Sequence, residues 1–333
     1  MRKVIITGEG IDRLQLTEAE DPSPGRFDVL IEMRATSLNY RDLLTVKTGA
    51  GGNAGLVPKS CGAGTVVATG SEVSRLEVGD RVAPMFFQKW LAGPPTPEGL
   101  GSALGGPIDG CLRDRMALHE EGVTRSPDYL SFDEAATVPC AARTAWRALV
   151  EEGDLRAGET VLVQGTGGVS VFALQFAKML GAEVIITSSS DEKLELAQRL
   201  GADHAINYRS EPDWAKAARR LTNGRGVDHV VEVGGADTLQ QSIASVALGG
   251  HIHLICDLSG FVNDVNVDEV FATNARLHGI TVGSRLMFEN MIRAMALHET
   301  HPIIDRTLDI TECREAFSLM ERGGHFGKIV VTH

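Results

Sequence analysis

Between Val161 and Leu180 a short apolar run, Val161-Leu162-Val163, passes through Gly165, Gly167 and Gly168 into a second stretch that is apolar nearly all round. A buried strand, a glycine turn and a long apolar helix, in that order, build a parallel sheet with crossover helices. Gly165 permits the tight turn, and Gly167 lets a pyrophosphate approach the backbone. The helix opening at Gly168-Val169 offers free N–H groups and the positive end of its dipole. Ser170 stands where the fingerprint has its third glycine and is small enough for close helix–strand packing. The rhythm repeats in the strand Val184–Thr187 and a helix Asp191–Leu200, capped by Ser190 or Asp191 and stopped by Gly201. Helix Trp214–Leu221 then leads to strand Val227–Val233, and helix Thr238–Ala247 to strand His251–Ile255. A doubly wound, dinucleotide-binding α/β domain is predicted.

An enzyme that takes NAD places an acid on the ribose about twenty residues past the glycines. Here that position holds Thr187-Ser188-Ser189-Ser190. Serine hydroxyls donate to a 2′-phosphate that an acid repels, while Lys193 and Tyr208-Arg209 add cations and a ring. The reading is NADPH in preference to NADH, held by Gly165, Thr166, Gly167, Gly168, Val169, Ser188, Ser189, Lys193 and Tyr208.

Before Gly122 the signals are short and strand-like: alternation over Val29–Ala35, the apolar Thr65–Ala68, and Gly79-Asp80 ahead of Arg81-Val-Ala. Residues 86–112, crowded with glycine and proline, exceed the usual loop of a compact domain and read as a substrate cover or as a structural excursion. After Arg285 come a helix Met287–His298, a turn at Pro302, a helix Glu312–Glu321 and a strand Lys328–Val331. The expected division is 1–140, 141–285, and a tail 286–333 that rejoins the first domain.

A net charge of −12 without a basic block disfavours nucleic acid. No apolar run reaches membrane-spanning length, so no membrane partner is expected. Five cysteines, an odd number without a C-x-x-C pair, suit a reduced compartment, and a cytoplasmic location is expected. His251 and His253 share a strand face and His298 and His301 a helix face. Neither pair shows a third ligand in the sequence, so neither is assigned a metal.

The order of β domain, glycine-turn domain and returning tail resembles the medium-chain dehydrogenase/reductase superfamily. The motifs that carry the likeness are Ser37-Leu-Asn-Tyr-Arg-Asp42, Gly62-Ala-Gly64, Gly79-Asp-Arg-Val82, Ala135-Ala-Thr-Val-Pro-Cys140, Thr144-Ala-Trp146, Gly165–Ser170, Gly201-Ala-Asp203 and Gly327-Lys328. The resemblance implies a GroES-like, β-rich catalytic domain plus a Rossmann domain, an active site between them, and a homodimer or homotetramer. Zinc members place a Cys, a His and a Cys or Asp at the positions of Asn39, Ser60 and Cys140. Only Cys140 matches, and of the four structural-zinc cysteines only Cys111 is present, so no zinc is expected at either place. Cys61 stands where such relatives often carry an acid.

The zinc-free quinone oxidoreductases are therefore the nearer pattern, with Asn39 beside the nicotinamide. Tyr40 is then the candidate donor to a developing oxyanion, with Arg41 and Asp42 behind it. The same resemblance assigns nicotinamide-side contacts to Thr144, Val233, Ile255, Cys256, Leu258, Gly283, Ser284 and Lys328. The expected activity is metal-free, NADPH-dependent hydride transfer to a small electrophile: a quinone, an enone or a related carbonyl-activated acceptor. The alternatives are a zinc-dependent NAD(P) alcohol dehydrogenase and a non-catalytic NADPH-binding protein.

Overall fold

The computed structural model describes residues 1–256, 258–260 and 264–333. They form two units, Met1–Arg143 with Val282–His333, and Thr144–Thr281. In chain order the strands are β1 Arg2–Ile6, β2 Leu14–Glu18, β3 Asp28–Ser37, β4 Cys61–Thr69, β5 Arg81–Pro84, β6 Arg115–His119 and β7 Val123–Arg125. There follow β8 Thr160–Gln164, β9 Glu183–Ser188, β10 His204–Asn207, β11 Val227–Glu232, β12 Val246–Leu254, β13 Arg276–Gly279, β14 Ile304–Asp309 and β15 Lys328–Thr332.

The second unit is a parallel sheet in the order β10-β9-β8-β11-β12-β13. All five residues of β8 are buried, as a strand covered on both faces requires. Leu162, Ile185, Val230 and Ile252 meet Trp214 and Ile243 in its core, each large side chain contributing about 1.5–3 kcal/mol by burial. Strand order reverses between β8 and β11, which opens a crevice at their carboxyl ends. β12 begins at Val246 rather than at the expected His251. A register shift between Val227 and His229 absorbs the extra residues around Gly249, whose φ is +76°.

In the first unit β3 alternates as read, with Val29, Ile31, Met33 and Ala35 buried. The returning tail adds β15 antiparallel to β3, pairing Val330 with Ser37, and β14 runs parallel to β15. A helix Tyr40–Lys47, not anticipated from the sequence, follows β3 directly. Asp42 Oδ2 accepts the Asn39 N–H at 2.9 Å, half of a capping box that sets the helix start. Leu43 and Val46 of that helix pack with Phe317 and Met320 of the helix Cys313–Arg322.

The unit boundaries differ from the expected 140/141 and 285/286 for packing reasons. Arg143 Nη1 reaches the Ser284 carbonyl at 3.4 Å, and the Arg285 and Leu286 amides bond to the Trp90 and Leu91 carbonyls at 2.9 Å. The 86–112 segment is thereby built into the first unit: Phe86, Phe87, Trp90 and Ala103 pack with Cys61, Cys140 and Val282. From Phe132 to Glu152 the chain is helical throughout, with a wide turn over Val138–Ala142, where Pro139 has no N–H to give. Among the described residues no helix is long and apolar enough to cross a membrane.

Lys59 is fully buried with a φ of +72°, and its Nζ donates to Thr36 Oγ1 at 3.1 Å. Burial pushes its amine down to about 7. Between there and the ordinary 10.5 the unfolded chain holds a proton that the folded chain does not, so stability rises with pH across that window. Below it both states are protonated and the burial penalty is fully present. The urea midpoint of the wild type should therefore climb from pH 7 to pH 9 relative to Lys59→Met, by about 1–2 kcal/mol of stability. Parallel pH curves for the two proteins would refute the shifted amine.

Candidate active site and cofactor cradle

The polar centre of the first unit is a chain of buried hydrogen bonds that starts at Lys328. Its Nζ donates to Asn39 Oδ1 at 2.7 Å and to the Leu38 carbonyl. With its oxygen held there, the Asn39 amide donates from Nδ2 to Ser60 Oγ and to Cys61 Sγ, each at 3.1 Å. Ser60 in turn donates to Asp42 Oδ1 at 2.9 Å. Burial raises the Asp42 carboxyl, against the opposing pull of Arg41, the Asn39 N–H, Ser60 and Lys328.

Cys61 and Cys140 are hydrogen-bonded to each other in this centre. The hydrogen bond to Cys61, then burial, pushes the Cys140 thiol well above its ordinary value. Burial pushes Cys61 the same way, but the Cys140 hydrogen bond, nearby Lys328 and the Asn39 amide outweigh it and leave Cys61 below the ordinary value.

This donor set does not fit catalytic zinc. Three ligands must aim lone pairs at one point. The Asn39 oxygen is taken by Lys328, its amide nitrogen has no lone pair to give, and Ser60 is engaged in both directions, which leaves Cys140 as the one matching ligand.

Arg143, which the sequence reading missed, lies one turn beyond Cys140. It is fully buried, with its guanidinium carbon 5.8 Å from the Phe288 ring centre. Its Nη1 contacts Met85 Sδ and the Ser284 carbonyl, while Nε and Nη2 have no acceptor among the described residues. Burial lowers it to about 10, opposed by Cys140 and Cys61, so it remains a cation at neutral pH.

Tyr40 goes elsewhere. It is the first residue of the helix, half-buried, and it packs against the Leu43–Phe317 cluster instead of joining the Asn39 network. The expected oxyanion donor is thus placed in a helix that the Asn39–Asp42 cap starts, with its side chain on the apolar side. Arg41 is tied to the Leu104 carbonyl at 2.7 Å and lies over Phe86. Gly283 and Ser284 lie against Arg143, so they belong to the first unit with Asn39 and Lys328.

Apart from Thr144, which lies in a helix, the second unit carries the remaining expected cofactor contacts at the carboxyl ends of its strands. Gly165 has a φ of +68°, and a Cβ added at Gly165 or Gly167 would meet nothing within 4 Å. Gly167 precedes the helix Gly168–Met179 without any side-chain cap, so the first N–H groups of Gly168, Val169 and their neighbours remain for an anion. Thr166 is buried in this turn, and Ser170 Oγ donates back to the Gln164 carbonyl at 2.7 Å.

At the end of β9, Ser188 pairs with Asn207 of β10, and the Tyr208 amide bonds to the Ser188 carbonyl at 3.1 Å. Ser189, Lys193 and the exposed Tyr208 thus share one strand-end region, where the Lys193 helix is capped by Ser190. The nearby acid Asp191 is engaged by Asn207 at 2.6 Å. Val233 is placed by a buried pair that the sequence reading missed, since Gln164 Oε1 accepts from the Val233 and Gly234 amides at 3.2 Å. Glu232 anchors Gln164 at 2.6 Å and takes the Gly234 and Gly235 amides. The Ile255 amide bonds to the Glu232 carbonyl at 2.9 Å, leading to half-buried Cys256 and exposed Leu258. Thr144 is buried at the start of the unit. The open turn and uncapped helix fit a dinucleotide pyrophosphate.

Residues 25–128 match the alcohol dehydrogenase GroES-like domain, and residues 168–297 the zinc-binding dehydrogenase domain. The chain is 43% identical to a zinc-type alcohol dehydrogenase-like protein of Schizosaccharomyces pombe, over 97% of this chain and 96% of that one. It is 33% identical to a quinone oxidoreductase of Pseudomonas aeruginosa, over 94% of this chain and 90% of that one. The solved structure of an NAD-dependent alcohol dehydrogenase superposes with a TM-score of 0.91 at 31% identity, covering 100% of both chains.

Because space around Gly167 is open and its φ is −77°, Gly167→Ala should leave the melting midpoint unchanged. If a pyrophosphate comes up to this backbone, the same methyl group should weaken nicotinamide dinucleotide binding about tenfold or more, or about 1.4 kcal/mol. Calorimetric titration of the two proteins measures it, and equal affinities would remove the turn from the binding site.

Proposed function

The chain belongs to the medium-chain dehydrogenase/reductase superfamily of oxidoreductases, and from that premise we propose that it is a metal-free, NADPH-dependent reductase of quinones, enones or related carbonyl-activated acceptors. The observation that carries this reading is Arg143, a buried cation with two unpaired nitrogens beside the Cys61–Cys140 pair. Where zinc members polarise a carbonyl with a metal, this chain presents an occupied hydrogen-bond network and a guanidinium.

When bound, a reduced nicotinamide supplies a hydride, which suits an acceptor whose carbonyl is conjugated to the carbon receiving it. Gly165, Thr166, Gly167, Gly168 and Val169 would hold the pyrophosphate, while Ser188, Ser189, Lys193 and Tyr208 would hold the 2′-phosphate. As the new C–H bond forms, an electron pair moves onto the acceptor's oxygen, and Arg143 Nε and Nη2 are the groups that would donate to that oxygen once the acceptor reaches them. Water then delivers the proton. The acceptor needs no zinc because its own conjugation delocalises the charge that the guanidinium receives. Asn39 and Lys328 hold each other in the polar centre of the same unit, and Tyr40, packed in the apolar cluster, has no role in the proton's path.

A spectrophotometric screen of NADPH oxidation tests the reading. Turnover of benzoquinone or an enone by metal-stripped protein supports it. Turnover of alcohols and aldehydes only after zinc is restored replaces it with a zinc alcohol dehydrogenase, and binding without turnover replaces it with a cofactor-binding protein.

Loss of a charge-assisted contact to phosphate costs about 1.5–3 kcal/mol. Lys193→Ala should therefore weaken NADPH roughly 10- to 100-fold and leave NADH unchanged, while Ser188→Asp should invert the preference. Equal losses for both cofactors would take the 2′-phosphate away from this region.

Arg143→Leu separates function from structure. Removing one oxyanion donor costs about 10²–10³ in turnover, whereas an unpaired buried cation is itself destabilising. Turnover should fall by about that factor with the melting midpoint held or raised and NADPH affinity unchanged, and Tyr40→Phe should keep turnover within about twofold. A fall in stability that accounts for the lost activity would make Arg143 a packing residue.

A further inference from the structure

One face of the sheet in the second unit carries four imidazoles, from His229 on β11, His251 and His253 on β12, and His278 on β13. The strands are parallel, His229 pairs with His251 and His253 with His278, so the register puts all four side chains on the same side. The sequence shows His251 and His253 two residues apart; the strand order brings up His229 as the third donor. His229 Nδ1 lies 3.3 Å from His253 Nε2, and one nitrogen from each of His229, His251 and His253 falls within 4.8 Å of the others. Metal–nitrogen bonds of about 2.0–2.1 Å in a tetrahedron set ligand nitrogens about 3.3–3.4 Å apart. The first pair already has that spacing, and His251 is half-buried at the edge of a cavity.

The surroundings are those of a ligand set. Glu159 Oε2 accepts from His229 Nε2 at 3.0 Å, which fixes the tautomer and leaves the Nδ1 lone pair facing His253. His278 Nε2 contacts His251 Nδ1 at 3.1 Å and orients that ring in the same way. His253 is fully buried, and its Nδ1 has no partner among the described residues. Burial first, and then the neighbouring rings, push His251 down to about 4 and His253 well below its ordinary value. His229 and His278 are lowered by burial too, against Glu159 and Glu152. Each of these shifts favours the neutral ring, the form that coordinates a metal.

His229 and His251 line a cavity of about 310 Å³ whose wall also carries Asp154, Glu159 and Asp228, with Arg156 and Arg276 beside them. Arg276 Nη1 contacts His251 Nε2 at 3.1 Å; this exposed guanidinium is the group that a cation entering at Nε2 displaces.

We propose that His229, His251 and His253 bind a divalent late first-row cation, Zn²⁺ by preference, with Glu159 orienting His229 and water completing the coordination. Imidazole donors suit zinc, copper and nickel, and the ion joins β11 to β12 as a brace within the cofactor-binding unit. This site is separate from the Asn39–Cys140 centre and does not depend on the reaction proposed there.

Titration of the chelator-stripped full chain with Co²⁺, read by its d–d absorption, and with Zn²⁺, read by calorimetry, decides the matter. The expected result is one ion per chain at micromolar affinity or tighter, a zinc-dependent rise in the melting midpoint, and no change with Cys140→Ser. His251→Gln should lower affinity about 100-fold or more while NADPH affinity stays constant, Glu159→Gln about tenfold, and Arg276→Gln should tighten binding by removing the competing cation. Binding that never saturates below millimolar metal, that survives His251→Gln, or that disappears with Cys140→Ser would overturn the assignment.

Discussion

Lys328 brings a nitrogen into a place without water, and the arrangement of the first unit's polar centre follows from how that nitrogen is satisfied. Antiparallel pairing of β15 with β3 delivers it to the end of β3, where the Leu38 carbonyl and Asn39 Oδ1 accept its hydrogens. With the Asn39 oxygen occupied, its amide must point the other way, to Ser60 and Cys61. Ser60 can then give its own hydrogen to Asp42, which also caps the following helix. Each link leaves its neighbour one orientation only. Removing a member strands a buried partner at about 1–3 kcal/mol, so the last strand, the Asn39 loop and the first helix hold together as one element.

The second unit solves a different problem by comparable means. A cofactor turn must keep its amides unpaired, because any side chain that satisfied them would compete with the pyrophosphate. The loop next to it must nevertheless be rigid. Gln164, the residue just before the glycines, and Glu232, at the end of the neighbouring strand, clamp each other and the Val233–Gly235 amides. Ser242 and Thr238 take the remaining carboxylate positions. Order is thus imposed from behind, and the amides at Gly167 and beyond remain available.

The doubly wound unit was readable because its signals are local: an apolar run, a glycine that must take a positive φ, and a serine that caps the next helix are each complete within a few residues. The returning tail was readable for the same reason. What escaped depends on residues that meet only across strands. Asn39 and Asp42, three apart, do carry a local capping pattern, and it would have revealed the helix that begins at Tyr40. Arg143 reads in sequence as an ordinary surface cation, and only the packing of Phe288 and Ser284 shows that it is buried. His229 is 22 residues from His251, and no periodicity joins them; the pairing of β11 with β12 does.

Charge balance around Asn39 carries the functional argument one step further. Lys59, Arg143 and Lys328 are buried there with one carboxylate, Asp42, and the Cys61–Cys140 pair. Burial lowers all three bases, and Lys59, at about 7, can shed its proton at little cost. Arg143, at about 10, cannot, and two of its nitrogens face no acceptor. An unpaired buried guanidinium raises the energy of the resting protein and of a complex with an uncharged ground state alike. In the proposed reaction it is relieved as negative charge develops on the acceptor's oxygen. Stabilisation that appears with the oxyanion and is absent before it lowers a barrier without merely tightening substrate binding. A zinc ion polarises the carbonyl of the ground state as well, which a poorly activated alcohol–aldehyde pair requires. In the proposed reaction a lone guanidinium suffices only when the acceptor already spreads its incoming charge, a condition that quinones and enones meet and simple carbonyls do not.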